Sequence, residues 1–405
     1  MHGRSRSLAN DEKYFGVHDR MVNIRAVQPV DGAQWTGVVT TVACAALRSG
    51  LVDAVACVGS SPNNPLVPRP FLALTEADVL SARGVKPCHS PSLNVLAEVE
   101  ARGIKRLLFI GVGCAVQALR SVERHLGLEA LYVMGTNCTD NGTAAGLNTF
   151  LNAVSVDPTT VSGYEFAVDY TVHVKHTTGL YERIPYFSLP SDELRGVIAP
   201  SCTSCFDYTN ALADLVVGYM GVAAAPGVEM GQHTQYATVR NARGSELLAA
   251  ASHSLATSPT TSSGGRRPFV LETVLADDKA ARGGARSPAP VWLGTLLAKT
   301  LTAIGPTGLE FARYSIEYHT VRNALFVRRG AARNALKGAA AHLPPFAAAI
   351  VNDYDASGAV AARLALKPGD PEPEAKDFSA AGAIASLLLL LLLVWAVLGS
   401  NFPGL

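Results

Sequence analysis

The sequence predicts an α/β protein: a partly parallel sheet with helices on both faces, an α+β insertion, and a hydrophobic helix at the C-terminus. Three observations predict it. Apolar runs RLLFIGV (106–112) and LEALYVMG (128–135) flank the helix-patterned AVQALRSVERHL (115–126), and strand, helix, strand with short connections specifies parallel pairing. The run YTVHVKH (170–176) instead alternates apolar with polar, Gly179 supplies a turn, and YERIPYF (181–187) follows, as in an antiparallel hairpin. Finally, residues 378–398 read FSAAGAIASLLLLLLLVWAVL, without a charge. As a helix they are about 30 Å long, the thickness of a bilayer's hydrocarbon core.

The first twenty residues are polar and charged, with no apolar centre of a secretory signal and no evident transit peptide, so 1–28 reads as an N-terminal remnant. A helix is expected over 34–48, where Trp35, Val38, Val39, Val42 and Leu47 recur at helical spacing, and a buried strand over 52–58. Another helix follows at 93–101, and the strand–helix–strand unit completes a first part over 29–160. The second part, 161–330, holds the hairpin and the loop-like stretches 258–267 and 279–290. Residues 331–377, Ala-rich and basic and then rich in Pro and charge, read as a linker before a membrane-spanning helix at 378–398.

Composition narrows the function. Among 405 residues, 48% are hydrophobic and 17% charged, which excludes a disordered chain. Lys and Arg number 34 against 33 Asp and Glu, so no global field draws in nucleic acid. Seven cysteines, an odd number without a secretory signal, favour metal or redox chemistry over a disulfide framework.

Cys202 and Cys205 form a CxxC, which puts two thiolates within reach of one metal or cluster iron, or makes a redox dithiol. Cys114 follows a strand in FIGVGC and Cys138 follows the next in VMGTNC, so the two converge at one edge of a parallel sheet. Together the four match the usual ligand set of a four-iron cluster, while zinc and unliganded thiols stay open on spacing alone. Cys44, Cys57 and Cys88 read as core residues. His173, His176 and His319 read as surface or hydrogen-bonded side chains that could donate a proton, and Arg266 and Arg267 as a solvated loop able to hold an anion.

Long segments, among them PVDGAQWTGVVTT (29–41), ARGVKPCHSPSLN (82–94), KRLLFIGVGCAVQALRSVE (105–123), LYVMGTNCTDNGT (131–143), APSCTSCFDYTNALADLVVGYMG (199–221), SSGGRRPFV (262–270) and GLEFARYSIEYHTVRN (308–323), resemble the flavin and iron–sulfur family of deazaflavin-reducing hydrogenase beta subunits, in its chlorophyll-reducing branch. The resemblance covers about residues 10–330. It implies an oxidoreductase of chlorophyll metabolism in the chloroplast, a flavoprotein with FAD and a 4Fe-4S cluster, reduced by ferredoxin. Cys114, Cys138, Cys202 and Cys205 would be the cluster ligands. Gln34, Thr36, Gly37, Lys86, Ser90, Asn141 and Asp214 would lie along the FAD, with Lys86 neutralising its pyrophosphate.

The implied reaction converts 7-hydroxymethyl chlorophyll a to chlorophyll a, within the route from chlorophyll b to a. Reduction of the 8-vinyl group of a divinyl chlorophyllide is the sister activity, and a noncatalytic pigment- or partner-binding relative is the reading from another class. No catalytic acid is assigned. Members normally begin with a further Cys-rich stretch that binds a second, outer cluster, and this sequence starts after it, as a truncated chain or one lacking that cluster would. Expected partners are ferredoxin, a chlorophyll-type pigment and a membrane, with room for a homo-oligomer.

Overall fold

The computed structural model describes residues 3–62, 64–190, 193–194, 196–218, 232–281, 288–305, 308–333, 343–355 and 358–365. The elements run α1 (Glu12–Phe15), β1 (Arg20–Ala26), α2 (Val38–Arg48), β2 (Ala54–Ser61), β3 (Asn64–Ala73), α3 (Glu76–Ser81), α4 (Leu96–Ala101), β4 (Arg106–Gly111), α5 (Gly113–Val122), β5 (Ala130–Thr136) and α6 (Ala144–Val154). Then come β6 (Val161–Phe166), β7 (Thr171–His176), β8 (Tyr181–Pro185), β9 (Leu215–Gly218), β10 (Gln235–Val239), α7 (Ala242–Ala250) and β11 (Leu255–Pro259). Helices α8 (Val270–Ala281), α9 (Val291–Ile304), α10 (Leu309–Arg333), α11 (Pro345–Tyr354) and α12 (Ala359–Ala365) complete them.

Eight strands form one mixed sheet in the order β11-β1-β10-β9-β5-β4-β2-β3. The ladders β2–β4, β4–β5 and β5–β9 are parallel; those joining β3, β10, β1 and β11 are antiparallel. Alternation along the strands sorts the core onto two faces. Val55, Leu108, Met134, Leu215 and Val217 face Val38 and Val42 of α2 and Leu247 of α7. Ala54, Leu107, Phe109, Val133 and Val216 face Val99 of α4 and Val116 and Leu119 of α5. Each large side chain so buried contributes about 1.5–3 kcal/mol. Helices α8, α10, α11 and α12 form a further layer over Phe15, Met21 and Tyr236.

The expected hairpin is β7–β8, joined through Gly179 at φ 85° and extended by β6 into a three-stranded sheet. Its Val172 and Val174 pack on Leu147, Phe150 and Leu151 of α6. Some boundaries differ from expectation. The helix expected from residue 34 begins at Val38, because Trp35 (φ 53°) and Gly37 (φ 80°) hold a left-handed turn. A Cβ on Gly37 would stand 2.7 Å from Val30 Cβ, so only glycine fits.

Ser258 and Pro259, expected in a loop, end β11 and pair with β1. Within 331–377, expected as a linker, α11 and α12 bury Ile350, Val351, Tyr354 and Val360 against α10. The alanine-rich composition hid that apolar stripe. The hydrophobic helix expected at 378–398 lies outside the described residues, among which no helix is long and apolar enough to cross a membrane.

Candidate functional site

Parallel register brings two of the cysteines together. Gly111 of β4 lies beside Gly135 of β5, and Cys114 and Cys138 each follow three residues later. The chain carrying the CxxC is strapped across the same strand ends. Ile198 bridges Gly142, and the Ala199 amide donates to Asn141 O at 2.9 Å. Asn210, at φ 54°, donates its amide to Gly111 O at 2.8 Å and Thr136 O at 3.4 Å, pinning both strand ends. Gly135 permits this, since a Cβ there would lie 2.4 Å from Asn210 Nδ2. Gln117 of α5 donates to Asp207 Oδ2 at 2.7 Å, and the Cys138 amide to Tyr208 O at 3.0 Å.

The four thiols lie in one another's field. Burial pushes the Cys138 thiol far up, and charge on Cys202, Cys114, Asp140 and Cys205 pushes it further. The Cys202 and Cys205 thiols are also raised, first by burial, with Cys114 contributing to each. A cationic centre beside them would be needed to hold Cys138, Cys202 and Cys205 as thiolates. Among the described residues, no three or more His, Cys, Asp or Glu are grouped as the ligands of a single metal ion would be. Cys114, Cys138, Cys202 and Cys205 are all free thiols, and an all-cysteine set is the donor chemistry that an iron–sulfur cluster takes.

Helix α10 clamps the set from behind, which the sequence did not signal. Asn323 Nδ2 donates to Cys202 O at 3.0 Å and Cys205 O at 2.6 Å. Arg322 makes two 2.8 Å hydrogen bonds to Asp140 in the Cys138 loop. His319 stacks on Tyr208 at 5.9 Å, and burial beside Arg322 holds its pKa well below the ordinary value. His89 Nε2 lies 3.6 Å from Cys202 Sγ.

The expected flavin residues fall in three groups. The Ser90 and Asn141 loops meet beside the cysteines: Cys88 bridges Gly142, the His89 amide donates to Gly142 O at 3.0 Å, and the buried Ser90 hydroxyl has no partner among the described residues. A second group joins the turn of Gln34, Thr36 and Gly37 to Lys86 through Arg83, which donates to Asp31 O at 2.7 Å. Thr36 Oγ1 accepts from the Ala26 amide at 3.0 Å, and Gly37 N donates to Gln34 O at 3.0 Å. Lys86 Nζ donates to the carbonyls of Ala82, Arg83 and Gly84, and burial lowers its pKa to about 8.

Asp214 stands apart, before β9 and level with Val133. Its carboxylate accepts from the Val133 amide at 2.7 Å, Asn241 at 2.8 Å and Arg120 at 3.0 Å. Both oxygens are committed to holding strands and helices together. The orphaned Ser90 hydroxyl and the small residues of its neighbouring loops leave a polar atom for a flavin to meet, whereas the Asp214 carboxylate is held by protein donors.

The other polar candidates have structural partners. His173 binds Tyr181 at 2.6 Å and Asp169 at 2.8 Å, and His176 binds Glu182 at 2.8 Å, all around the three-stranded sheet. Arg267 pairs with Glu310, and Arg266 lies 4.8 Å from the centre of the Tyr354 ring.

Comparison with known proteins places this geometry. Residues 21–97 match the coenzyme F420 hydrogenase/dehydrogenase beta subunit N-terminal family, and 104–262 its C-terminal counterpart. The chain is 56% identical over 90% of its length to a 7-hydroxymethyl chlorophyll a reductase, chloroplastic, of Oryza sativa subsp. japonica, covering 77% of that protein. It is 47% identical to an uncharacterized protein of Nostoc sp., over 87% of this chain and 85% of the other. A chain of the F420-reducing NiFe hydrogenase complex of Methanosarcina barkeri shares the fold at TM-score 0.54 and 23% identity, over 68% of this chain and 98% of its own. By its two matched regions and its rice relative, the chain belongs to the coenzyme F420 hydrogenase/dehydrogenase beta-subunit family.

Proposed function

We propose that the protein is an oxidoreductase of chlorophyll metabolism that converts 7-hydroxymethyl chlorophyll a to chlorophyll a in the chloroplast, with FAD and a 4Fe-4S cluster and with ferredoxin as electron donor. The observation that carries the reading is the 56% identity, across 90% of the chain, with the rice reductase of that name. The gathering of Cys114, Cys138, Cys202 and Cys205 at one sheet edge supports the cofactor assignment.

The reaction replaces C–OH by C–H and consumes two electrons and two protons, releasing water; the departing oxygen must be protonated as its bond to carbon breaks. When bound, the cluster passes electrons singly and the flavin collects two of them for the pigment. The protein's part is to hold the cysteines in place through Asn210, Asp207 and Asn323, and to offer the Ser90 hydroxyl and Lys86 ammonium to the flavin.

The deciding experiment is anaerobic expression of the full chain, with iron, sulfide and FAD counted per chain and the pigment products separated after incubation with reduced ferredoxin. About four irons, bound FAD and chlorophyll a formed from the 7-hydroxymethyl pigment are expected. Turnover of a divinyl chlorophyllide alone would replace the substrate assignment, and a chain that binds flavin but no iron would overturn the electron path.

A further inference from the structure

Helix α9 (Val291–Ile304) is amphipathic in the wrong sense for a surface helix. Its small residues turn inward: Gly294 and Ala298 are buried, and a Cβ on Gly294 would lie 2.2 Å from Ser188 Oγ. Its large apolar residues turn outward, with Trp292 at 69%, Val291 at 65%, Ile304 at 63% and Leu296 at 55% exposure. An ordinary surface helix buries its large hydrophobes and exposes its polar face. A contiguous apolar stripe along one helix marks a surface that meets something other than water.

Charge identifies the partner. Between Asp278 and Glu310 the sequence contains no acidic residue, so every charge in that stretch is a Lys or Arg. The one charge on α9 itself is Lys299, exposed on the outward side of the helix. Leucine, isoleucine and tryptophan on a helix whose one charge is a lysine complement an anionic lipid surface: the apolar side chains enter the acyl boundary, the indole favours the headgroup level, and the ammonium group meets lipid phosphate or sulfonate.

We propose that α9 is a membrane-surface docking helix that lies on an anionic bilayer through Trp292, Leu296 and Ile304. This contact is separate from any insertion of residues 378–398 and does not depend on the cofactors.

Tryptophan quenching separates the contacts. The full chain holds three tryptophans, at 35, 292 and 395. Replacing Trp395 by Phe leaves Trp292 and Trp35, and Trp35 is buried at 1% exposure. Vesicles of phosphatidylcholine with phosphatidylglycerol, carrying lipids brominated near the headgroup, are added to this variant and to one that also carries W292F. Blue-shifted, quenched Trp292 emission on the anionic vesicles is expected, weakening about tenfold with L296E, since exchanging a buried leucine for a charge costs more than 1.4 kcal/mol. Equal quenching on pure phosphatidylcholine would overturn the electrostatic part. Absence of Trp292 quenching on either vesicle would overturn the proposal, even if the chain floats with the lipid through its C-terminal stretch. A blue shift that appears without lipid and grows with protein concentration would assign the face to a second copy instead.

Discussion

Arg322 grips Asp140 through two hydrogen bonds of 2.8 Å each, joining helix α10 to the loop that carries Cys138. The next residue, Asn323, holds the CxxC by both cysteine carbonyls. Two consecutive side chains of one helix thus tie together the two loops that supply three of the four cysteines. This helix lies beyond residue 262, where the matched family region ends.

Replacing Asn323 by Leu removes both donors and leaves two carbonyls unsatisfied, at about 1–3 kcal/mol each where they are buried. The expected result is a chain that folds but loses iron, measured as faster bleaching of the cluster's visible absorption under a chelator. N323D, which keeps the shape but not the donor, should behave like N323L. If both variants retain iron as the parent does, the clamp has no role in holding the cluster.

Gly113 begins α5, one residue before Cys114. Alanine there would gain at most about 1 kcal/mol of helix propensity. Its Cβ would however stand 2.8 Å from both Asp207 O and Oδ2. Overpacking of that kind costs about 1–3 kcal/mol. Crowding therefore outweighs propensity, and G113A should lower both the melting temperature and the iron content. A variant with raised melting temperature and full iron would show that the Asp207 loop can move aside.

These two predictions mark what the sequence made legible. The strands β4 and β5 and the cysteines after them stood out, because apolar runs and a Gly-Cys step after a strand are local signals. Asn210 and Asp207 did not, since their effect comes from a left-handed turn and from contacts with strands distant in sequence. The antiparallel half of the sheet was equally hidden. Strand β1 pairs with β10, Arg20 beside Val239, and no local pattern encodes such a partner. Asp214 was assigned by motif position, yet three protein donors occupy its carboxylate. Residue type did not reveal those neighbours.

Acid stability should depend on Glu12. Arg4 and the Ser7 amide hold its carboxyl at about 2, below its ordinary 4.5, and the side chain is buried. A carboxyl depressed on folding stabilises the native state above its unfolded pKa, and that contribution disappears as pH falls through the folded value. Between about pH 5 and 2 the parent should lose stability faster than E12Q, in which no carboxylate titrates. Urea midpoints at pH 7, 5, 4 and 3 measure this, and parallel curves for the two chains would contradict it.

Lys86 gives the flavin assignment a test by proton counting. Burial lowers its pKa from 10.5 to about 8, so in the flavin-free chain the amine is mostly neutral at pH 9. A base depressed on folding makes the unfolded chain the better proton binder between these values, and stability should therefore rise with pH from 8 to 10.5. A pyrophosphate placed beside this amine favours its charged form. FAD binding at pH 9 should then take up a proton, visible as a calorimetric heat that changes with the ionisation enthalpy of the buffer, whereas at pH 6 the buffers should agree. K86M should bind FAD more weakly and remove the buffer dependence at pH 9. Unchanged affinity without proton uptake would mean that Lys86 serves only the carbonyls of Ala82, Arg83 and Gly84 that it already contacts.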